Sequence, residues 1–466
     1  MEEKTKGELL SEKLTYKPKS GYDKLSAEII DSAFAFADGY KKFLDSAKTE
    51  REAATETVKI LRKSGFTEFS LDKSYVAGQG IYIISDKKTV IAARIGKKSL
   101  GEGVNIVAAH IDSPRLDLKQ HPLYESEGLA LFKTHYYGGI KKYQWLTIPL
   151  ALHGTVAKID GSAVDISIGE DATDPVFTIT DLLPHLAKDQ YSKNLAEAVS
   201  GEGLNVLLGS RPYGDEKVKD KVKLNILSLL NEKYGITEAD FLSAELTLVP
   251  AAKARDVGLD RSLIGAYGQD DRVCAYPPLI ALAEDITAPD KTAVLILADK
   301  EEIGSEGKTS MQSHLFRNFI ADLAHDKVVR LSDVWKNSSC LSADVNAAFD
   351  PNYGEVYEKA NSAYLNRGVV LTKYTGSRGK SGSSDASAEF VAKIRGIFDT
   401  AGILWQTGEL GKVDQGGGGT VAAYIANLNV DTVDLGVGIL SMHAPFEISA
   451  KIDVYEMHRA AKAFWG

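Results

Sequence analysis

The order of apolar and polar positions divides the chain into segments of different texture. Residues near 25–65 read as helical. Within them TEREAATETVKILRKSG opens on a capping box, Thr49 with Glu52 three positions on, and stops before Gly65, which suits a left-handed C′ position. GIYIISDKKTVIAARIG (80–96) predicts a hairpin and NIVAAH (105–110) a buried strand. After about residue 118 the texture changes. Residues 129–170 are rich in β-branched and aromatic residues in alternation, separated by glycine-containing turns, and predict short strands. DLLPHLAKDQ (181–190) and KLNILSLLNEKYG (223–235) predict helices, and ELTLVPAAKARDVGLD (245–260) returns as a strand. A helical run follows GQDDR, broken near its start by Pro277 and Pro278. TAVLILA (292–298) predicts another buried strand, short apolar stretches precede Asp344 and His443, and residues 447–465 form an amphipathic stretch. These segments predict an α/β protein with a mixed sheet. Its main domain is discontinuous, residues 1–117 and 252–466, and residues 118–251 form an inserted β-rich domain.

At 466 residues the chain can bury a large core. Its net charge is −9 with both signs interspersed, which argues against nucleic acid or an anionic membrane surface as the main partner. No apolar run approaches ~20 residues, so no membrane span is expected. The segment MEEKTKGELLSEKLTYKPKS is charged and has no apolar core, so no secretion signal is expected. Cys274 and Cys340 are the only cysteines; neither lies in a Cys-x-x-Cys pair, which disfavours a thiolate metal site and suits a reducing cytoplasm.

The candidate chemistry lies at strand ends. Glu301 and Glu302 close the run TAVLILADKEE. Neighbouring side chains on extended backbone point to opposite faces, so one carboxylate can ligate a metal while the other stays free as a general base. His110 and Asp112 share a face if their strand continues, and Asp112 can then accept the second imidazole N–H of a metal-bound His110. Asp270 and Asp271 precede a helical run, where an Asp either caps the helix or bridges two metals. Asp344 and His443 each follow an apolar stretch. Each segment alone has an ordinary structural reading as a turn, a cap or a solvated strand end. Together His110, Asp270, Glu301–Glu302, Asp344 and His443 form a mixed His/carboxylate set that suits Zn²⁺, with Mn²⁺ or Co²⁺ conceivable. With one bridging carboxylate they would hold two metals about 3.5–4 Å apart.

The stretches AAHIDSPRLDLK, GQDDR, DKEEIGSEG, SADVNAAFDPNY and ILSMHAPFE, in this order and spacing, resemble the dinuclear-zinc aminopeptidases typified by aspartyl aminopeptidase and vacuolar aminopeptidase I. The resemblance runs over nearly the whole chain. It implies that His110 and Glu302 each hold one metal, that Asp270 bridges both, and that Asp344 and His443 complete the two shells. Glu301 would be the general base and later the acid, Asp112 would orient His110, and the peptide after Asp270 would be cis. It further implies a metal-dependent aminopeptidase acting on peptides with a free N-terminus. The insert would serve for dimer contacts and as a lid, and the chain would assemble into a dodecamer.

Two glycine-rich segments, TGSRGKSGSSDAS (375–387) and VDQGGGGTVAA (413–423), lack the phosphate-loop pattern GxxxxGK[ST]. The second is either a flexible loop or a place where backbone N–H groups approach a bound peptide. The resemblance favours the latter for Gly417, Gly418 and Thr420. It also points to Lys373 as the cation for an acidic first side chain, and to His185 as a residue lent to a neighbouring subunit. A dipeptidase or deacylase on the same metals, or an idle peptide-binding oligomer, are the alternatives. The idle oligomer predicts a lost ligand or base, and none is lost.

Overall fold

Four apolar runs pair edge to edge as parallel strands: Thr292–Ala298, Val104–His110, Ser339–Ala343 and Asp431–Gly436. Almost every residue in them is buried, as a strand covered on both faces requires. Because they run the same way, their carboxyl ends finish side by side, with Ala298 opposite His110. In this computed structural model, which describes residues 4–16, 18–284, 287–325 and 327–466, the four form the centre of a nine-stranded sheet. The antiparallel hairpin Gly80–Ser85 and Thr89–Arg94, legible in the sequence, extends one side. Val369–Thr372, antiparallel to Asp431–Gly436, and then Trp405–Thr407 extend the other, so the sheet is mixed.

Side chains leave the central strands alternately. Val107, Ala109, Leu295 and Leu297 pack in a core shared with helices Ala27–Ser46, Glu50–Lys63, Gln269–Glu284 and Lys451–Trp465. Ile106, Ala108, Val294 and Ile296 pack in another with helix Leu315–Leu323. Burying a Val, Leu or Ile side chain contributes about 1.5–3 kcal/mol. Helix Glu50–Lys63 starts on the expected capping box, with the Glu52 amide donating to Thr49 Oγ1 at 3.3 Å and the Thr49 amide to Glu52 at 3.0 Å. Gly65 beyond it has φ +83°.

A second sheet has six antiparallel strands in the order Ala163–Ile168, Leu150–Ala157, Ala244–Pro250, Arg115–Ser126, Leu129–Tyr137, Val206–Gly209. It has its own core around Phe132, Trp145, Phe241 and Leu248. Its strand Arg115–Ser126 crosses position 118, where the texture of the sequence changes. Helix Lys221–Tyr234 ends on Gly235 in the left-handed region. Residues 181–190 depart from the expected helix: only the 3-10 turn Pro184–Leu186 and the single turn Lys188–Tyr191 form. Leu182, Leu183 and Leu186 stay exposed there, so this segment lacks the packing that stabilises a short helix.

A third sheet of five strands includes Leu263–Ala266, Glu447–Ala450 and Gly438–Leu440. Among the described residues no helix is long and apolar enough to cross a membrane.

Candidate metal centre

The three larger sheets send residues to one place. The nine-stranded sheet supplies His110 at a strand end, Asp344 just past Ala343, and Glu301 and Glu302 after Ala298. The five-stranded sheet supplies Asp270 after Leu263–Ala266 and His443 after Gly438–Leu440. Asp270 lies between the two histidines. Its Oδ1 is 3.2 Å from His110 Nε2, and its Oδ2 is 3.2 Å from His443 Nε2. Asp344 Oδ1 is 3.8 Å from His110 Nε2, and Glu302 Oε2 is 3.6 Å from His443 Nε2. The ligand atoms of His110, Asp270 and Glu302 all lie within 4.8 Å of one another, as do those of His110, Asp271 and Asp344. The Asp270–Asp271 peptide is cis.

Asp112 orders much of this cluster. Its Oδ1 is 3.2 Å from His110 Nδ1, which makes Nδ1 the protonated nitrogen and turns Nε2 to the cluster. The same Oδ1 accepts the Glu301 amide at 3.1 Å, and Oδ2 accepts the Glu302 amide at 3.2 Å and the Tyr137 hydroxyl at 2.8 Å. The two glutamates are not on extended backbone, as the alternation argument assumed. Lys300 turns the chain at φ +68°, and Glu301–Ile303 form a 3-10 turn. Their divergence therefore comes from that turn, pinned by Asp112. His443 also sits in the left-handed region at φ +64°, uncommon for a residue with a side chain. Its ring Nδ1–H donates to the Gly139 carbonyl at 2.7 Å, so the loop after Leu129–Tyr137 of the six-stranded sheet orients it.

The electrostatics show a site short of positive charge. Burial pushes Glu302 and Asp344 well above the ordinary carboxylate range, and nearby carboxylates add to it: Asp270 for Glu302, Asp271 and Glu301 for Asp344. Burial likewise raises Glu301, with His110 pulling the other way. For His443, burial disfavours the charged ring, but Asp270 and Glu302 outweigh it and lift it to about 10. The cluster thus holds protons that divalent cations would displace. Glu302 Oε1 is buried with no hydrogen-bond partner among the described residues. Imidazole and carboxylate donors, two carboxylate oxygens each aimed at a different histidine, and an orphaned buried oxygen fit a pair of divalent ions.

The cluster opens into a cavity of about 380 Å³. Glu301, Glu302, Asp270, Asp344 and His443 form one part of its lining. Gly416 to Thr420, including Gly417 and Gly418, together with Thr372 and Tyr374, form another.

A family model described as Aminopeptidase I zinc metalloprotease (M18) matches residues 43–465. The chain belongs to that family. A curated relative from Clostridium acetobutylicum, a probable M18 family aminopeptidase 1, is 50% identical over 455 residues, covering 96% of this chain and 97% of its own. The crystal structure of an M18-family aminopeptidase from Thermotoga maritima matches with TM-score 0.92 and 45% identity, covering 97% of this chain and 99% of that chain. The S. cerevisiae mApe1 dodecamer structure has the same fold, with TM-score 0.76 at 23% identity, covering 92% of this chain and 96% of that chain. The protein is therefore a peptidase of the metal-dependent aminopeptidase class.

Of the residues expected to contact substrate, Lys373 lies outside the cavity lining in this M18 chain, and His185 is the one expected at a neighbouring subunit's site. Past strand Val369–Thr372, Thr372 and Tyr374 line the cavity and Lys373 does not; it pairs with Asp385 at 2.9 Å. Lys380 reaches the cavity in its place, 3.2 Å from the other oxygen of Asp385 and 3.8 Å from the centre of the Tyr374 ring. His185 is exposed on the turn Pro184–Leu186, outside the cavity lining of its own chain. Glu447 escaped the sequence reading. Its carboxylate accepts the His443 amide at 2.8 Å and the Asp270 amide at 3.1 Å, and burial pushes it up to about 8. It lies in the stretch ILSMHAPFE, four positions after His443, and that spacing was its only signal.

Proposed function

We propose that this M18 chain removes single residues from the free N-terminus of peptides, using two divalent ions and Glu301 as general base. The observation that carries the reading is Asp270, whose two carboxylate oxygens each stand 3.2 Å from a different histidine. His110 and Asp344 with Asp270 Oδ1 would hold one ion, and His443 and Glu302 with Asp270 Oδ2 the other. Zn²⁺ suits these donors, as do Mn²⁺ and Co²⁺. Bound there, the ions supply Lewis acidity, which acidifies water and polarises a carbonyl.

The chain's own residues do the rest. Glu301 lines the cavity, makes no hydrogen bond through its carboxylate among the described contacts, and is raised by burial toward the range of an effective base. It takes a proton from the attacking water and returns it to the leaving amine. Asp112 holds the Glu301 amide and the His110 ring, so base and donor share one support. The peptide's free amine is attracted to the carboxylates around Asp270, which restricts attack to the first peptide bond. The glycine segment 416–419 lets the substrate backbone lie close. Cations at Lys380, Arg378 and Lys412 line the same cavity and favour an acidic residue over a neutral one. The segment 118–251 acts as the dimer-forming insert and lid, the assembly is a dodecamer like that of mApe1, and the two free buried thiols suit the cytoplasm.

The test is release of single residues from Asp-, Glu-, Leu- and Ala-terminated peptides by chelator-stripped protein with Zn²⁺, Mn²⁺ or Co²⁺ added back, beside Glu301→Gln. Restored activity is expected for the wild type. Loss of about 10²–10⁴-fold in turnover is expected for Glu301→Gln, with its metal content unchanged. Near-normal turnover in the variant removes Glu301 from the base role, and silence with every metal overturns the aminopeptidase reading. The Asp-to-Leu ratio, compared between Lys380→Ala and Lys373→Ala, reads which lysine selects acidic residues.

A further inference from the structure

The strand Asp431–Gly436 carries a carboxylate into the interior of the nine-stranded sheet. Asp434 is 4% exposed and pairs in register with Ser342 on one side and Thr372 on the other. Its Oδ1 accepts the Thr420 hydroxyl at 2.6 Å, and its Oδ2 is buried with no hydrogen-bond partner among the described residues. A buried carboxylate with so few partners is costly, and an apolar residue in a sheet interior avoids that cost. Burial lifts Asp434 to about 6, against the pull of the Thr420 hydroxyl.

Thr420 connects this carboxylate to the cavity. It ends the glycine segment that lines the cavity opposite the metal ligands. Of that segment, Gly417 has φ +122°, and among the described residues Gly417–Gly418 pair only with Gly376–Ser377. A two-residue ladder is weak support for backbone meant to meet a substrate. The Thr420 hydroxyl has one proton, already given to Asp434, so it offers the substrate an acceptor only.

We infer that Asp434 is a positioning residue, which through the Thr420 hydroxyl anchors glycine segment 416–419 in the conformation that receives the peptide. The inference rests on the aminopeptidase reading of the cavity. The charge is tolerated in the sheet because a charge-assisted bond holds the loop more firmly than a neutral one.

The test is Asp434→Asn, which keeps an acceptor oxygen of the same size and removes the charge. KM for peptides is expected to rise about threefold or more with kcat within about twofold, as suits a bond about half as strong. Backbone amides 416–420 exchange faster with solvent, while the melting temperature stays the same or rises because a buried charge has gone. Thr420→Ser, which keeps the hydroxyl, binds peptide more tightly than Thr420→Val, which lacks it. Wild-type KM and wild-type exchange in Asp434→Asn overturn the inference. So does a fall in melting temperature that accounts for the loss of binding, or equal loss in the two Thr420 variants. Hydrogen exchange is read without substrate. An anchored loop in a wild-type protein that cleaves no peptide therefore sinks the aminopeptidase reading while leaving the anchor in place.

Discussion

Asp112 receives two backbone amides, an imidazole and a phenol on one carboxylate. Asp112→Asn turns one of its two acceptor oxygens into a donor, so one of these partners faces a repelling N–H. Loss of roughly 10–100-fold in metal affinity is expected, as for other partners of metal-bound histidines. Competition with a chelating dye measures it, and unchanged affinity removes Asp112 from that role. At this scale the sequence was informative where chemistry is rare. A chain with nine histidines lets each be considered, and the structure brings His110 and His443 to within 3.2 Å of the same aspartate. It was uninformative where identity depends on facing. Lys373 and Lys380 are both lysines in a polar stretch that share Asp385, and only the folded path of the chain beyond Thr372 decides which lines the cavity. Glu447 looked like any strand-edge glutamate, because nothing local says that its neighbours bury it.

Among elements, the central strands were readable because burial on both faces writes a continuous apolar run. The three-residue turn at Glu301–Ile303 was not, since its shape is set by Asp112, 189 positions away. Residues 181–190 resemble a helix in composition but have no core to lie on. A close approach invisible in the sequence joins two elements at the site. A Cβ added at Gly436 would stand 1.6 Å from the Asp344 carbonyl oxygen. Gly436→Ala must therefore part strand Asp431–Gly436 from the turn that carries Asp344, at a cost of ~1–3 kcal/mol typical of overpacking. A lower melting temperature and fewer than the wild-type number of bound ions are expected, read by thermal denaturation and elemental analysis. A normal metal-to-protein ratio refutes the coupling.

Across the whole molecule, His153 links the sheets. It lies on Leu150–Ala157 of the six-stranded sheet, with Nδ1 2.7 Å from Glu52 on helix Glu50–Lys63 and Nε2 3.2 Å from Glu170. Burial opposes its charge, but Glu170 and Glu52 outweigh burial and lift it to about 9. A group raised on folding stabilises fully below its unfolded value, about 6.5, and loses that stabilisation as pH rises through about 9. The shift corresponds to about 3 kcal/mol at most. Denaturant midpoints of the wild type, relative to His153→Gln, are expected to fall between pH 6.5 and about 9.5; a constant difference excludes the link. The change of texture near residue 118 was visible in the sequence, but not this tie between the six-stranded sheet and helix Glu50–Lys63. Nor was the Gly139 carbonyl that turns the His443 ring. These dispersed supports bear on how the protein is made. The five proposed donors run from residue 110 to residue 443, with the six-stranded sheet built between the first of them and the others. A nascent chain that has not yet produced its final donor carries only scattered carboxylates and imidazoles. A chain cut within the six-stranded sheet risks losing the Gly139 carbonyl that orients one of them. On the proposed donor set, hydrolytic capacity would arise only once His443 has been made and would lapse when the supports of the donors are cut, leaving incomplete copies inert toward the other peptides around them.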